Sequence, residues 1–445
     1  MANNVKKVNS IAIASIKKIN GIAAASIKKL NGEEFSVSAD PSTTTPTNPN
    51  FNFDNGDLRS TEHTSICYDP DNNFIIVAYR DADNSNYGTV RAASISGTTL
   101  TWGAEYVFAS ETATNIGIAY NTSDDVIMLG FSGASYNTIK VIAATVGAAA
   151  NDPSDTDDIA FGSVVNVFAG SSGNSNSSVG YGMIEYNPTY NTATICYENG
   201  ADSGDANFVA AVSVSGTTCT AGTPVEVVDT TEEFMAQEYD PDIGKTIIVY
   251  DNGTKIGARV ASQSGTGNRT IALGTEALYG NNSGFTAVSE YYGGMPVAYD
   301  TSADKHHVIF YDDSLSAVRM NYFTVSGTSV TWSTGTAATI SSGTSSGNET
   351  GGGVAYNAVR NRIITYGATA TSTSSNYNFE YHTISGSTYT SQGSATIIEE
   401  GLRNRSQHVP SVQTNSFHAN TTILVYADVG GSTGGGRIKL LDAGS

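Results

Sequence analysis

Short apolar runs recur along the chain between polar turns, and the same phrase introduces each of them: a tyrosine, an Asp or Asn, a polar turn, the run, and a second aromatic. Tyr68-Asp69-Pro70-Asp71 leads to Ile75-Ile76-Val77-Ala78-Tyr79, Tyr120-Asn121 to Ile127-Met128-Leu129-Gly130-Phe131, and Tyr186-Asn187 to Ile195-Cys196-Tyr197. Tyr239-Asp240 leads to Ile247-Ile248-Val249-Tyr250, Tyr299-Asp300 to Val308-Ile309-Phe310, and Tyr356-Asn357 to Ile363-Ile364-Thr365-Tyr366. Runs this short, rich in β-branched residues and bounded by Gly, Asn, Asp and Pro, predict strands rather than helices. The leading tyrosines are 52, 66, 53, 60 and 57 residues apart, so the pattern is an internal repeat.

Each unit goes on to a third strand closed by a glycine turn, as at Ser96-Gly97, Ser215-Gly216, Ser264-Gly265, Ser326-Gly327 and Ser385-Gly386. A fourth strand follows, for example Thr99 to Phe108 or Ser329 to Trp332. Four short antiparallel strands per unit, repeated, predict an all-β fold, a β-propeller of four-stranded blades. Six units are explicit. A seventh has a degenerate first strand at Val409-Pro410-Ser411-Val412, then Thr422 to Tyr426 and Arg437 to Leu441, and lacks a fourth. An open edge of that kind invites aggregation. The segment Asn48 to Asp54, with Phe51 and Phe53, stands where a fourth strand precedes every other first strand, so it is expected to complete the last blade and close a seven-bladed ring.

Ahead of this body, residues 1–32 carry an 11-residue repeat: Lys6-Lys7 with Ile11, Ile13 and Ile16; Lys17-Lys18 with Ile22 and Ile27; then Lys28-Lys29. The period fits a helix, but Asn-Gly at 20–21 and 31–32 is a tight-turn signal, and strands with turns are the favoured reading. So small a repeat has no core of its own, which marks 1–32 as a docking arm. Residues 33–47 read as a Pro/Thr-rich linker and 48–445 as the propeller.

Composition agrees with strands and turns: Gly is 46 of 445 residues and only 14% are charged. Charge divides the chain. The arm is +6 within a net charge of −20, leaving −26 on residues 33–445, a body that repels nucleic acid and anionic lipid. No apolar run has the roughly 20 residues that cross a bilayer, so no membrane insertion is expected. The lysine pairs interrupt any signal-peptide core. Cys67, Cys196 and Cys219 lie among apolar strand residues and read as core thiols.

Chemistry is sparse. Asp124-Asp125, Asp157-Asp158, Glu232-Glu233 and Asp312-Asp313 sit in turns, where Asp and Asn cap their own backbone. His306 and His307 are adjacent on a strand and face opposite sides, which is unsuited to a shared metal. The oxygen-rich turns 69–73 and 152–158 are the calcium candidates, and neither has an EF-hand pattern. Tyr291, Tyr292 and Tyr381 are candidates to stack on sugars. No catalytic residue, cofactor or metal ligand is assigned.

The phrases Ala78-Tyr79-Arg80-Asp81 through Thr89 and Ile95-Ser96-Gly97-Thr98 through Gly103 resemble the repeats of β-propeller proteins of marine tailed bacteriophages, and the Lys-Lys-Ile-Asn-Gly arm is similar to N-terminal segments of phage virion proteins. Later units, such as Tyr250-Asp251-Asn252, lack the Arg-Asp pair. The resemblance implies a non-enzymatic virion protein of fibre or decoration type, made in the host cytoplasm. Its arm would meet capsid or tail proteins and other copies of itself, and its propeller would face a host-surface glycan. The alternatives are a secreted or cell-surface carbohydrate-binding propeller and a sialidase-like glycosidase. Thr98-Thr99-Leu100-Thr101-Trp102 shares only the Thr-Trp end of a sialidase box.

Overall fold

The computed structural model describes residues 61–96, 99–133, 138–169, 184–199, 206–229, 235–252, 255–280, 296–312, 314–342, 352–358, 361–368 and 377–396, with isolated strands within 7–44, at 285–286 and within 411–442. Strands dominate. Among the described residues there are seven antiparallel sheets of four or more strands, and within the first six the strands follow one another as a meander.

Sheet 1 is Thr61–Asp69, Phe74–Asp81, Tyr87–Ser96 and Thr99–Thr112. Sheets 2, 3 and 4 open with Thr114–Asn121, Ile184–Asn187 and Met235–Asp240. In each of them the fourth place is shared by two short strands that both pair with the third, such as Ile159–Phe161 and Val165–Ala169 in sheet 2. Sheet 5 contains Val297–Asp300, Lys305–Asp312 and Ala317–Ser326, and sheet 6 runs from Gly352–Asn357 to Thr388–Thr396. Sheet 7 is Ser411–Thr414, Thr421–Asp428 and Gly435–Asp442, with Ser42–Thr44 as its fourth strand.

That last pairing sets Thr44 against Leu440, Thr43 against Leu441 and Ser42 against Asp442. The strand lent to sheet 7 therefore comes from the segment read in the sequence as a linker. Phe51 and Phe53, expected to supply it, lie outside the described residues. Two threonines favour extended backbone, and Pro41 and Pro46 confine the strand to an edge.

The apolar runs of sheets 1 to 5 are continuous because both faces of these sheets are buried. Ile76 and Ala78 pack with Ile118, Leu129 and Phe131 between sheets 1 and 2, while Ile75, Val77 and Tyr79 point to the other face with Leu100 and Trp102. Val126 and Met128 meet Ile184, Ile195 and Tyr197 between sheets 2 and 3. The same alternation sends Ile248 and Tyr250 toward sheet 3 and Ile247 and Val249 toward sheet 5. The second aromatic of each of the first five units, Tyr79, Phe131, Tyr197, Tyr250 and Phe310, is fully buried. First strands of successive sheets lie beside one another, and that of sheet 7 lies beside that of sheet 1.

The described parts of the 11-residue repeat are strands. Lys7–Val8 pairs with Ile11–Ala12, Lys18–Ile19 with Ile22–Ala23, and Lys29–Leu30 with Glu33–Glu34, giving three hairpins in one register.

Candidate functional site on the first strands

The leading Tyr-Asx phrase builds the same turn in the first five units, where the whole turn lies among the described residues. The Asx side chain caps it: Asp69 Oδ1 accepts from the amides of Asp71 and Asn72 at 2.9 and 3.1 Å, and Asn121 Oδ1 does the same for Ser123 and Asp124. Asp240 and Asp300 cap their own turns alike. Five residues after each tyrosine the backbone turns left-handed, at Asn73, Asp125, Asn191, Gly244, Asp304 and Asn361. These are the residue types that tolerate positive φ. In four turns the tyrosine hydroxyl donates to that same residue, as Tyr68 does to Asn73 and Tyr299 to Asp304.

Turns also tie neighbouring sheets together. Tyr120 donates to Asp71 and Tyr186 to Ser123, each in the preceding sheet. His306 Nε2 lies 3.0 Å from Asp240 Oδ2, both buried, across the seam of sheets 4 and 5. Its neighbour His307 faces the other way, with Nδ1 2.8 Å from the Tyr389 hydroxyl of sheet 6 and Nε2 3.6 Å from Asp300. The two histidines thus serve opposite seams, as alternation on a strand requires. Burial pulls the His307 imidazole below its usual range despite Asp300. Burial, with His307 nearby, pulls His382 down to about 4.

The most perturbed acids stand one residue before the leading tyrosines of sheets 3 and 4. Burial pushes the Glu185 carboxyl well above the carboxylate range, and Glu238 adds to the shift by like charge. Burial pushes Glu238 up to about 8, against a hydrogen bond from the Tyr299 amide that favours its ionised form. Glu185 takes the corresponding bond from the Tyr239 amide. Each acid is half-buried and lies toward the first strand of the next sheet. A carboxyl that stays protonated near neutral pH can donate a proton, which makes this pair the leading candidate for chemistry among the described residues.

No family model matches the chain, and no curated protein matches it. Similar solved structures include the GH93 α-L-arabinofuranosidase of Fusarium graminearum with arabinobiose, at 8% identity and TM-score 0.43 over 92% of this chain and 98% of that one. A mutant of NanB sialidase from Streptococcus pneumoniae aligns at 8% identity and TM-score 0.47 over 87% and 70%. The β-propeller domain of the Trilobed protease from Pyrococcus furiosus aligns at 9% identity and TM-score 0.45 over 86% and 94%.

Of the residues singled out in the sequence, Lys7, Ile11, Lys18, Ile22 and Lys29 fall in the three hairpins. Lys6, Ile13, Ile16, Lys17, Ile27 and Lys28 lie outside the described residues, as do Tyr291, Tyr292, Glu232 and Glu233. Tyr381 is fully buried, so it presents no face to a sugar. Asp312 is buried and bonds Arg319 at 3.0 Å. Asp155, Asp157 and Asp158 bring ligand atoms within 4.8 Å of one another on a loop, where Asp155 raises the Asp157 carboxyl by bonding and like charge. Cys67, Cys196 and Cys219 are buried free thiols, and burial raises all three, Cys219 to about 11. Glu185 and Glu238 went unnoticed in the sequence. Their signal was the shared place before a unit tyrosine.

Proposed function

We propose that this chain is a non-enzymatic structural protein of a virion, a closed seven-bladed propeller displayed on a particle by its N-terminal arm. The observation that carries the reading is the arm itself: three hairpins of identical register, spaced 11 residues apart, which among the described residues pair with no sheet of the body. Two-residue hairpins are unstable alone, so such a segment is built to be completed by something else. The body supports display rather than turnover. Its perturbed acids are engaged across seams, Glu185 by the Tyr239 amide and Glu238 by the Tyr299 amide, and its most buried histidines bond Asp240 and Tyr389.

The test is incorporation into particles that lack the native copy. Full-length chain is expected to incorporate, and a chain with Lys7, Lys18, Ile11 and Ile22 all changed to Asp is expected to be excluded while its body still melts normally. Equal incorporation of both would move the anchor to the propeller. A carbohydrate role for the propeller is read by glycan-array binding of the same preparation. Glycoside turnover abolished by Glu238→Gln would replace the structural reading with an enzymatic one.

A further inference from the structure

We infer that the seam between sheets 5 and 6 is an acid-operated latch: proton uptake by His307 of sheet 5 and His382 of sheet 6, buried in that one seam, releases sheet 6 from sheet 5 while the seams among sheets 1 to 4 stay shut. This goes beyond the display reading and does not depend on it.

Alternation along the strands puts both imidazoles in the seam. His307 shares a face of Lys305–Asp312 with Ile309 and Tyr311, which pack in one cluster with Ile363 and Ile384 of sheet 6. Ile363 is opposite His382 and Thr365 opposite Glu380, so these four share the face of sheet 6 turned to sheet 5. His307 is fully buried and His382 is 3% exposed. His307 Nδ1 lies 2.8 Å from the Tyr389 hydroxyl, a contact that crosses the seam. His382 Nε2 lies 3.1 Å from Thr365 Oγ1 and 3.4 Å from Glu380.

The groups around the two rings hold them neutral. His307 meets Asp300, Lys305, His306 and Tyr322 of sheet 5, and Tyr389 and His382 of sheet 6. Tyr356 reaches Asp300 from the first strand of sheet 6, and Lys305 donates to the Gly386 carbonyl of that sheet. Burial outweighs Asp300 at His307, and burial together with His307 holds His382 down to about 4. Despite its own burial, Asp300 is kept below the usual carboxylate range by His307 and the amides of Ser302 and Ala303. Its charge lies beside His307 alone. Burial raises the Glu380 carboxyl, so it gives up its charge as pH falls and leaves a proton on His382 unanswered. An open seam hydrates both rings, which then bind protons from about 6.5 downward, whereas closed His382 waits until about 4. Each pH unit in that window therefore favours opening about tenfold through His382, and His307 adds to it in the same direction. Glu380 runs the other way, one carboxyl against two imidazoles. The neighbouring seam of sheets 4 and 5 is built differently, with the Asp240 carboxylate 3.0 Å from His306. Between sheets 3 and 4 the raised Glu185 carboxyl favours the closed form in acid.

The experiment is hydrogen exchange of the full-length chain at about pH 7 and about pH 4.5, corrected for intrinsic exchange. Opening of Lys305–Asp312 and Tyr377–Ser385 is expected to rise on the order of a hundredfold in acid, while Phe74–Asp81 of sheet 1 stays within a few-fold. His307→Gln/His382→Gln, polar but unable to take a proton, is expected to lose the acid response. A proton-NMR titration of the His382 ring in the wild type needs no variant, and is expected to find that ring neutral until about 4. Strands of sheets 5 and 6 that open no faster in acid, a variant that opens in acid like the wild type, or a folded His382 that titrates near its ordinary value would each overturn the inference. So would acid opening that reaches Phe74–Asp81 equally, which is global unfolding and no latch.

Discussion

At the scale of single residues, the body is organised by a turn whose two ends have different requirements. Its start needs an Asx oxygen to cap two amides, and its end needs a residue at home with positive φ. The start was legible as the Tyr-Asp/Asn phrase, because its cause is local, whereas the left-handed residue five places on was not singled out. Glu185 and Glu238 were not legible, since their raised pKa values arise from burial and from groups on the next sheet. Between about 4.5 and 8 folded Glu238 keeps a proton that the unfolded chain has released, so its contribution to stability is full below 4.5 and is lost as pH rises through 8. His382 acts in the opposite direction: the unfolded chain binds a proton from 6.5 downward and the folded chain only near 4, so stability falls as pH drops across that window. Urea denaturation at acid, neutral and alkaline pH is expected to show Glu238→Gln gaining about 1 kcal/mol or more on wild type at the alkaline end and nothing at the acid end. An equal effect at both ends would mean that the carboxyl does not titrate in that range.

At the scale of elements, strands with a local signature agree with the sequence reading, and the strand decided by a distant partner does not. Apolar runs, flanking turns and the third-strand glycines all announce themselves within a few residues. Ser42–Thr44 does not, because a Ser-Thr-Thr stretch between prolines has the composition of a linker and becomes a strand only against Leu440 and Leu441. Asn48 to Asp54, which has aromatic residues at the right spacing, drew the reading instead. Thr43→Pro tests the pairing. Proline fixes φ and removes the amide at the centre of a three-residue strand, so a lower melting temperature and increased light scattering are expected. A variant indistinguishable from wild type would show that sheet 7 needs no fourth strand.

At the scale of the whole molecule, each seam is made by two sheets, so no sheet owns its core. Cys67 packs between sheets 1 and 2, Cys196 between sheets 3 and 4, and Cys219 between sheets 2 and 3. Three thiols therefore report on three different seams. If the sheets open as one unit, labelling by an aromatic disulfide reagent follows a single phase set by global opening, and all three thiols react together. Separate phases for Cys67 and the other two would show that sheet 1 opens independently. The borrowed strand also has a consequence for how the protein is made. Between Thr44 and its partner Leu440 lie nearly 400 residues, which at ~5–20 residues per second is roughly 20–80 s of synthesis. Throughout that interval the first six sheets can form while Ser42–Thr44 has no partner strand to pair with. The earliest strand of sheet 7 is thus made first and paired last, so its unpaired edge is exposed until Gly435–Asp442 emerges.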